Sequence, residues 1–247
     1  MYSPEILLLI AVTFFVAGIV KGTVGLGLPV VVLVFLAVPL GVTTAISLML
    51  VPAMATNLVQ ALAGPSLFVL LRRLWTFFLA AAIGIVLGVH LLDYVDADTS
   101  LMVLGALLVV YSIISLRSAQ IAPPGRYEPV LSPVAGGLGG VAFGITGIFI
   151  VPGILYLQAL GLKKDELVQA LGMTFMTLSV TLFGAFLENG VLDTPSILLS
   201  AAAFVPTITG LWLGQRLRHR VSESLFRTLF FWALLATGLR FIYVGLS

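Results

Sequence analysis

The sequence contains no cysteine, and only 9% of its 247 residues are charged. Without cysteine the chain forms no disulfide or thiolate metal site and has no thiol nucleophile. The two histidines, His90 and His219, lie too far apart to show the spacing of a metal-ligand pair. A soluble domain carries about 25% charged residues, whereas this chain is 60% hydrophobic with a mean hydropathy of +1.20. These deficits exclude an ordinary soluble enzyme and predict a polytopic membrane protein.

Enzyme signatures are also missing from the sequence. It lacks H-E-x-x-H, G-x-S-x-G and the phosphate-binding G-x-x-x-x-G-K-[ST] motif. All ten acidic residues lie near the ends of apolar runs or in loops, which disfavours a carboxylate proton relay or sodium site. A formal net charge of +2 is too small to suggest nucleic-acid binding. We therefore expect no enzymatic activity, no cofactor, no metal and no nucleic-acid partner.

The apolar runs predict how the chain crosses a bilayer, since a helix needs about 20 apolar residues to span the hydrocarbon core. Two segments, Ile6–Leu40 and Val130–Leu162, are too long for one crossing and have glycines near their middles. We interpret each as a re-entrant hairpin of two half-helices, although two short full crossings fit as well. Runs of single-span length are Thr43–Ala63, Trp75–Leu92, Leu101–Leu116, Val168–Leu187, Ile197–Leu213 and Leu225–Val244.

The basic residues sort the connections between these runs into two groups. Lys and Arg occur in the connections near residues 72, 117–128, 163–166 and 216–223, but not in those near 93–98 and 188–194. Because Lys/Arg-rich loops stay cytoplasmic, the first group is predicted inside and the second outside. The chain is then a multi-pass protein of the cell (inner or plasma) membrane with both termini outside.

The sequence also repeats internally. At an offset of 122 residues, Gly18, Gly22 and Gly25 coincide with Gly140, Gly144 and Gly147. This predicts repeat 1 over 1–120, a cytoplasmic linker over 121–128 and repeat 2 over 129–247. Each repeat has one glycine-broken hairpin and three transmembrane helices, and an odd number of crossings gives the two repeats opposite orientations. The predicted fold is an all-α polytopic membrane protein of two inverted repeats, an architecture typical of secondary transporters with a midplane site.

Residues in and beside the broken segments are the candidates for binding a ligand. Glycines at a helix break expose backbone N–H groups that favour an anion. Glycines four residues apart, as here, also allow close helix packing. Lys21 is the one charge deep inside an apolar run, which marks a functional site unless the side chain snorkels to an interface. The candidate substrate-binding residues are Lys21, Gly22, Thr23, Gly25, Gly27, Asn57, Gly144, Thr146, Gly147, Gln169 and Thr174.

Three stretches carry a family resemblance: AGIVKGTVGLG at Ala17–Gly27, its echo GVAFGITG at Gly140–Gly147, and QALGMT at Gln169–Thr174. The sequence resembles the TauE/SafE family of sulfite exporters over nearly its whole length. The resemblance implies a membrane permease that exports small sulfur-containing anions, such as sulfite or organosulfonates, from a site between two related halves. Phe149 stands where the first half has Gly27, so the two turns are expected to contribute unequally.

This resemblance implies a secondary transporter that works by alternating access, with a small anion and the lipid bilayer as its partners. Two alternatives stay open at the level of sequence. One is a channel-like anion uniporter, which the lack of buried carboxylates suggests. The other is a membrane-embedded subunit of a larger complex that moves nothing alone.

Overall fold

A computed structural model describes residues 2–25, 27–117, 122–217 and 223–246 of the chain. This part of the chain folds into α-helices and short helical turns, without a β-strand. The first half contains α1 (Pro4–Val24), α2 (Leu28–Leu40), α3 (Val42–Leu62), α4 (Leu67–Leu91) and α5 (Ala97–Leu116). The second half contains α6 (Glu128–Thr146), α7 (Leu155–Ala159), α8 (Lys164–Glu188), α9 (Thr194–Leu217) and α10 (Glu223–Leu246). The all-helical fold class is therefore confirmed.

Seven helices in the described residues are long and apolar enough to cross a membrane: α1, α3, α4, α5, α6, α8 and α9. The predicted single spans lie on α3, α4, α5, α8, α9 and α10. Helix α4 begins at Leu67, well before the predicted start at Trp75. The reason is that Arg72 and Arg73 end the apolar run but not the helix, whose backbone hydrogen bonds continue past the charges.

The two over-long segments are helix pairs broken at glycine. Helix α1 ends at Gly25 (φ 87°) and α2 starts after Gly27 (φ 108°), both in the left-handed region. Helix α6 ends at Gly147 (φ 72°), and the chain resumes as a π-helical turn, Ile150–Ile154, that leads into α7. At about 1.5 Å per residue, the 21 residues of α1 span about 30 Å and the 13 of α2 about 20 Å. The two arms of the first pair are therefore unequal: α1 is long enough to cross a bilayer, whereas α2 is shorter. The re-entrant form of each pair stays a prediction.

The contacts between the two halves are reciprocal. Helix α1 packs on α9 as its counterpart α6 packs on α4, while α3 pairs with α8 and α5 with α10. In the last pair the chains run antiparallel, since Gly105 meets Gly238 and Asp98 meets Gly245. This direction is shown for one pair of counterpart helices, α5 and α10. The inverted repeat, with the two halves in opposite orientation in the bilayer, stays a prediction.

Glycines allow the crossing helices to touch backbone to backbone. A Cβ at Gly210 or Gly214 would overlap the carbonyl of Phe15 or Ile19 on α1, and one at Gly140 would overlap that of Ala81 on α4. These positions belong to the small-xxx-small pattern that brings membrane helices close together. The glycines at 84, 88, 210 and 214 are therefore packing residues, as the spacing favours.

Two aspartates begin helices at the connections that are predicted to lie outside. Asp96 accepts a hydrogen bond from the backbone N–H of Thr99 at 2.6 Å, and Asp193 accepts one from that of Ser196 at 2.9 Å. Hydrogen bonds from the backbone N–H and side chain of Thr99 hold the pKa of Asp96 below the usual value for aspartate, and those from the side chain and backbone N–H of Ser196 do the same for Asp193. Both carboxylates thus have a structural role as helix N-caps.

The glycine contacts make a test of the packing. We expect Gly210→Ala to destabilise the protein by about 1–3 kcal/mol, because the added methyl group overlaps the α1 backbone. The melting temperature of purified protein in detergent measures the effect. Gly184→Ala is the matched control, since nothing lies within 4 Å of a Cβ there. Equal melting temperatures for the two variants would contradict the close approach of α1 and α9.

Candidate functional site

Lys21 lies on the last turn of α1, and its side chain is buried at 7% exposure. The ammonium donates a hydrogen bond to Thr56 Oγ1 at 2.9 Å and a second to Asn57 Oδ1, both on α3. Within the described ranges the one salt bridge joins Arg73 to Glu128, so no acidic side chain there neutralises Lys21. A buried ammonium is thus held by neutral groups alone.

The two partners of Lys21 are themselves fixed in place. The Thr56 hydroxyl donates its proton to the backbone carbonyl of Pro52 at 2.7 Å, which leaves its oxygen lone pairs for the ammonium. Thr56 and Asn57 are 6% and 3% exposed, so bulk water does not solvate this cluster. A protonated lysine has three N–H donors, and these two residues take two of them.

The sequence predicted part of this cluster. Lys21 and Asn57 were both candidates, and the structure brings them into contact. Thr56 was missed, although it adjoins Asn57 in an apolar span and that adjacency was the available signal. Which turn of α1 faces which turn of α3 depends on how the hairpin folds back, and local sequence does not reveal it.

The glycine turns of the two halves meet at one small cavity. Its lining includes Gly27 from the first turn, Gly147 from the second and Phe175 from α8, and it is almost entirely apolar. No atom lies within 4 Å of a Cβ placed on Gly25, whereas a Cβ placed on Gly147 would press on Ile46 and Met49. The two turns therefore lie close together, with apolar side chains around them.

Two of the candidate glycines serve helix packing. A Cβ at Gly22 would overlap the carbonyl of Leu211 on α9, and a Cβ at Gly144 would lie 2.7 Å from the carbonyl of Ile85 on α4. Both positions sit within helices, where their N–H groups belong to the helical hydrogen-bond ladder. The packing alternative thus has direct support at these two positions, whereas Gly25, Gly27 and Gly147 form the actual turns.

The three candidate threonines turn their hydroxyls back onto their own helices. Thr23 donates to Ile19 O, Thr146 to Ala142 O and Thr174 to Ala170 O, each at 2.7 Å. Thr146 also accepts from the N–H of Ile148 at 3.2 Å. Each hydroxyl already donates its proton to a carbonyl, so it can act towards a ligand only as an acceptor. To donate a hydrogen bond to a ligand, the side chain would first have to rotate.

The Gln169 side chain forms hydrogen bonds with the connection between α3 and α4. Its amide nitrogen donates to Ala61 O at 2.9 Å and to Gly64 O at 2.7 Å, and its oxygen accepts from the N–H of Ser66 at 2.9 Å. The side chain is buried at 1% exposure. All three bonds satisfy backbone groups at a helix end, where the helix itself supplies no partner.

The equivalent place in the second half has no lysine. At the 122-residue offset Lys21 corresponds to Phe143, Thr56 to Leu178 and Asn57 to Ser179, all of which are buried. Phe143 meets Phe149 edge to face at 6.4 Å between ring centroids, and Phe149 meets Phe77 at 5.7 Å. The two halves share a backbone plan, but the position of Lys21 in the first half is taken in the second by Phe143, which belongs to an aromatic cluster.

The bonds of Gln169 make a second test. We expect Gln169→Ala to lower the melting temperature by several degrees, because it leaves backbone groups of Ala61, Gly64 and Ser66 unpaired at about 1–3 kcal/mol for each buried group. The exposed Gln158 provides the control variant Gln158→Ala. A Gln169→Ala protein as stable as that control would show that these three hydrogen bonds do not contribute to stability.

Comparisons with known proteins agree with this architecture. The family model described as "Sulfite exporter TauE/SafE" matches residues 10–241. Searches of curated proteins and of solved structures found no match. The matched range runs from α1 to α10 and takes in both glycine turns and the Lys21 cluster. Seven candidate spans and a match over nearly the whole sequence establish a multi-pass membrane protein, and the chain belongs to the TauE/SafE family of sulfite exporters.

Proposed function

We propose that this protein is a secondary transporter that exports sulfite or a small organosulfonate across the cell membrane. The observation that carries the proposal is the buried Lys21 ammonium, which two neutral side chains hold with no acidic partner among the described residues. Family membership supports the class of cargo. The specific anion and the direction of transport come from the family and are part of the proposal.

The chemistry of the cluster favours an anion. Burying a charged lysine away from water is costly, and neutral hydrogen-bond acceptors offset only part of that cost. A bound anion supplies the missing negative charge and accepts the third N–H of the ammonium. Oxygen atoms of a sulfite or sulfonate group are suitable acceptors for such a charge-assisted hydrogen bond.

The arrangement of helices supports alternating access. Each half contributes one glycine-broken pair, the two turns line one cavity, and the contacts between the halves are reciprocal. Transporters built this way expose a midplane site first to one side and then to the other as one half rocks against its counterpart. In this proposal the anion binds beside Lys21, and the glycine turns flank its path.

The proposed orientation places both termini outside. Contacts of Gly18 with Thr207, and of Gly22 with Leu211, show that α1 runs parallel to α9. Helix α9 starts near the lysine-free and arginine-free connection at 188–194 and ends at the arginines after Gln215. By the positive-inside rule α9 runs inward, so α1 starts outside as well.

Transport by purified protein tests the function. We expect saturable uptake of labelled sulfite into proteoliposomes, and a loss of kcat/KM on the order of 10–100-fold in Lys21→Ala and Lys21→Gln, because a hydrogen bond to a charged group contributes about 1.5–3 kcal/mol. The exposed Lys164 supplies the matched control Lys164→Ala, which is expected to transport like wild type.

The same assay separates the alternatives. Lys21 variants that transport like wild type would contradict the role of the ammonium. Flux that never saturates would indicate a channel-like uniporter. Absence of flux for both sulfite and organosulfonates would favour a subunit that depends on partner proteins.

The orientation can be tested by cysteine labelling, because the sequence has no native cysteine that would also react. We expect a membrane-impermeant maleimide to label Tyr94→Cys in intact cells but to label Tyr127→Cys only after the membrane is opened. Both tyrosines are exposed, at 86% and 55%, and they lie on connections predicted outside and inside. The reverse pattern of labelling would contradict the proposed orientation.

A further inference from the structure

The oxygen atom of Thr56 is held in place by its own helix. The hydroxyl lies 2.7 Å from Pro52 O and 3.2 Å from Ala53 O, and the Lys21 ammonium donates to it at 2.9 Å. An ammonium has no lone pair, so Thr56 can only accept from Lys21, and its own proton goes to the helix carbonyls. A threonine side chain is also stiff at χ1. The backbone of α3 therefore sets the position of this oxygen independently of the lysine.

The other acceptor of Lys21 is less constrained. Asn57 Oδ1 accepts a hydrogen bond from the ammonium, but the terminal torsion of an asparagine side chain has a broad distribution. A lysine ammonium itself sits at the end of a flexible four-carbon stem. Of the two acceptors, Thr56 is the one that gives the charge a fixed position.

The turn of α3 that anchors Thr56 is itself held by α9. Pro52 has no N–H, which frees the carbonyl of Leu48. Ser200 Oγ on α9 donates to that carbonyl at 2.8 Å and accepts from the N–H of Val51 at 3.1 Å. Helix α9 also packs backbone to backbone on α1, which carries Lys21. One helix thus fixes both the helix of the ammonium and the helix of its acceptor.

The internal repeat treats the lysine and the threonine as a pair. At the 122-residue offset Phe143 stands in place of Lys21, and Leu178 stands in place of Thr56. One half therefore has the lysine together with its hydroxyl acceptor, and the other half has neither. Because Leu178 is fully buried at its position on α8, helix packing in the second half does not need a hydroxyl there. The hydroxyl accompanies the charge.

We infer that Thr56 is a positioning residue for transport, which fixes the Lys21 ammonium in the place where it binds the anion. This inference rests on the proposed function and deepens it by naming the group that orients the lysine. Thr56 acts through Lys21, because its one hydroxyl proton is already donated to a carbonyl of α3. A lysine without this acceptor is free to extend toward water, so fewer molecules present the ammonium to the anion and the apparent affinity falls.

Uptake of labelled sulfite into proteoliposomes tests the inference. Thr56→Val keeps the branched shape but removes the oxygen, and its KM is expected to rise by about tenfold or more, with kcat much less affected, because a hydrogen bond to a charged group is lost. Thr56→Ser keeps the hydroxyl and is expected to have a KM close to that of wild type. In the Lys21→Gln background, which has no ammonium to position, Thr56→Val is expected to leave KM unchanged.

Thr207→Val is the matched control. Thr207 on α9 is also fully buried, and its hydroxyl donates to Ala203 O at 2.7 Å, as that of Thr56 donates to Pro52 O. The Lys21 ammonium donates to Thr56 and Asn57 instead. Thr207→Val is therefore expected to transport sulfite with the KM of wild type.

A folded Thr56→Val protein with the wild-type KM, or a Thr56→Ser protein with the same raised KM as Thr56→Val, would overturn the inference and leave the proposed function intact. So would an equal rise in KM on adding Thr56→Val to Lys21→Gln, because the hydroxyl would then act without the ammonium. A Thr56→Val protein that fails to fold beside a folded Thr207→Val protein would assign the hydroxyl to folding and also overturn the inference. Wild type that takes up no sulfite, or Lys21→Gln that transports like wild type, would overturn the proposed function and this inference with it.

Discussion

A helix that breaks inside a bilayer leaves backbone groups without partners, and the lipid supplies none. At the end of α1 the N–H of Gly25 donates to Lys21 O at 2.7 Å, and at the end of α6 the N–H of Gly147 donates to Phe143 O at 2.8 Å. At Pro52 in α3, which has no N–H, the hydroxyl of Ser200 donates to the freed carbonyl of Leu48 at 2.8 Å. Breaks are therefore tolerated only in the interior, where other helices cover them.

The same constraint explains why the helices approach so closely. Helix α1 must cover its broken end, and it does so by lying against α9 with glycine on both surfaces, as at Gly22 and Gly214. The contact brings the turn after α1 to the centre and holds Lys21 against Thr56 and Asn57. The packing of α1 on α9, the reversal of the chain after α1 and the burial of Lys21 are thus linked. The same helices that pack against α1 keep water away from the ammonium.

Much of the fold was predictable because hydropathy and charge are local properties. A span of about 20 apolar residues has few alternatives in a bilayer, so the helices α3, α4, α5, α8, α9 and α10 follow from composition along the chain. The glycine breaks were predictable for the same reason, since Gly25, Gly27 and Gly147 lie in segments too long for one helix. The unequal arms of each hairpin were not, because hydropathy alone does not place the break along the membrane normal.

The sequence by itself determined the number and order of the helices, the internal repeat and the family, because each depends on the kind and spacing of residues along one chain. Only the tertiary structure decided which side chains meet. It placed Thr56 beside Lys21, committed Gln169 to backbone groups of the α3–α4 connection, and assigned Gly22 and Gly144 to helix packing. These outcomes depend on how helices distant in sequence pack, since a glycine or a glutamine has the same local pattern whether it faces a ligand or a neighbouring backbone.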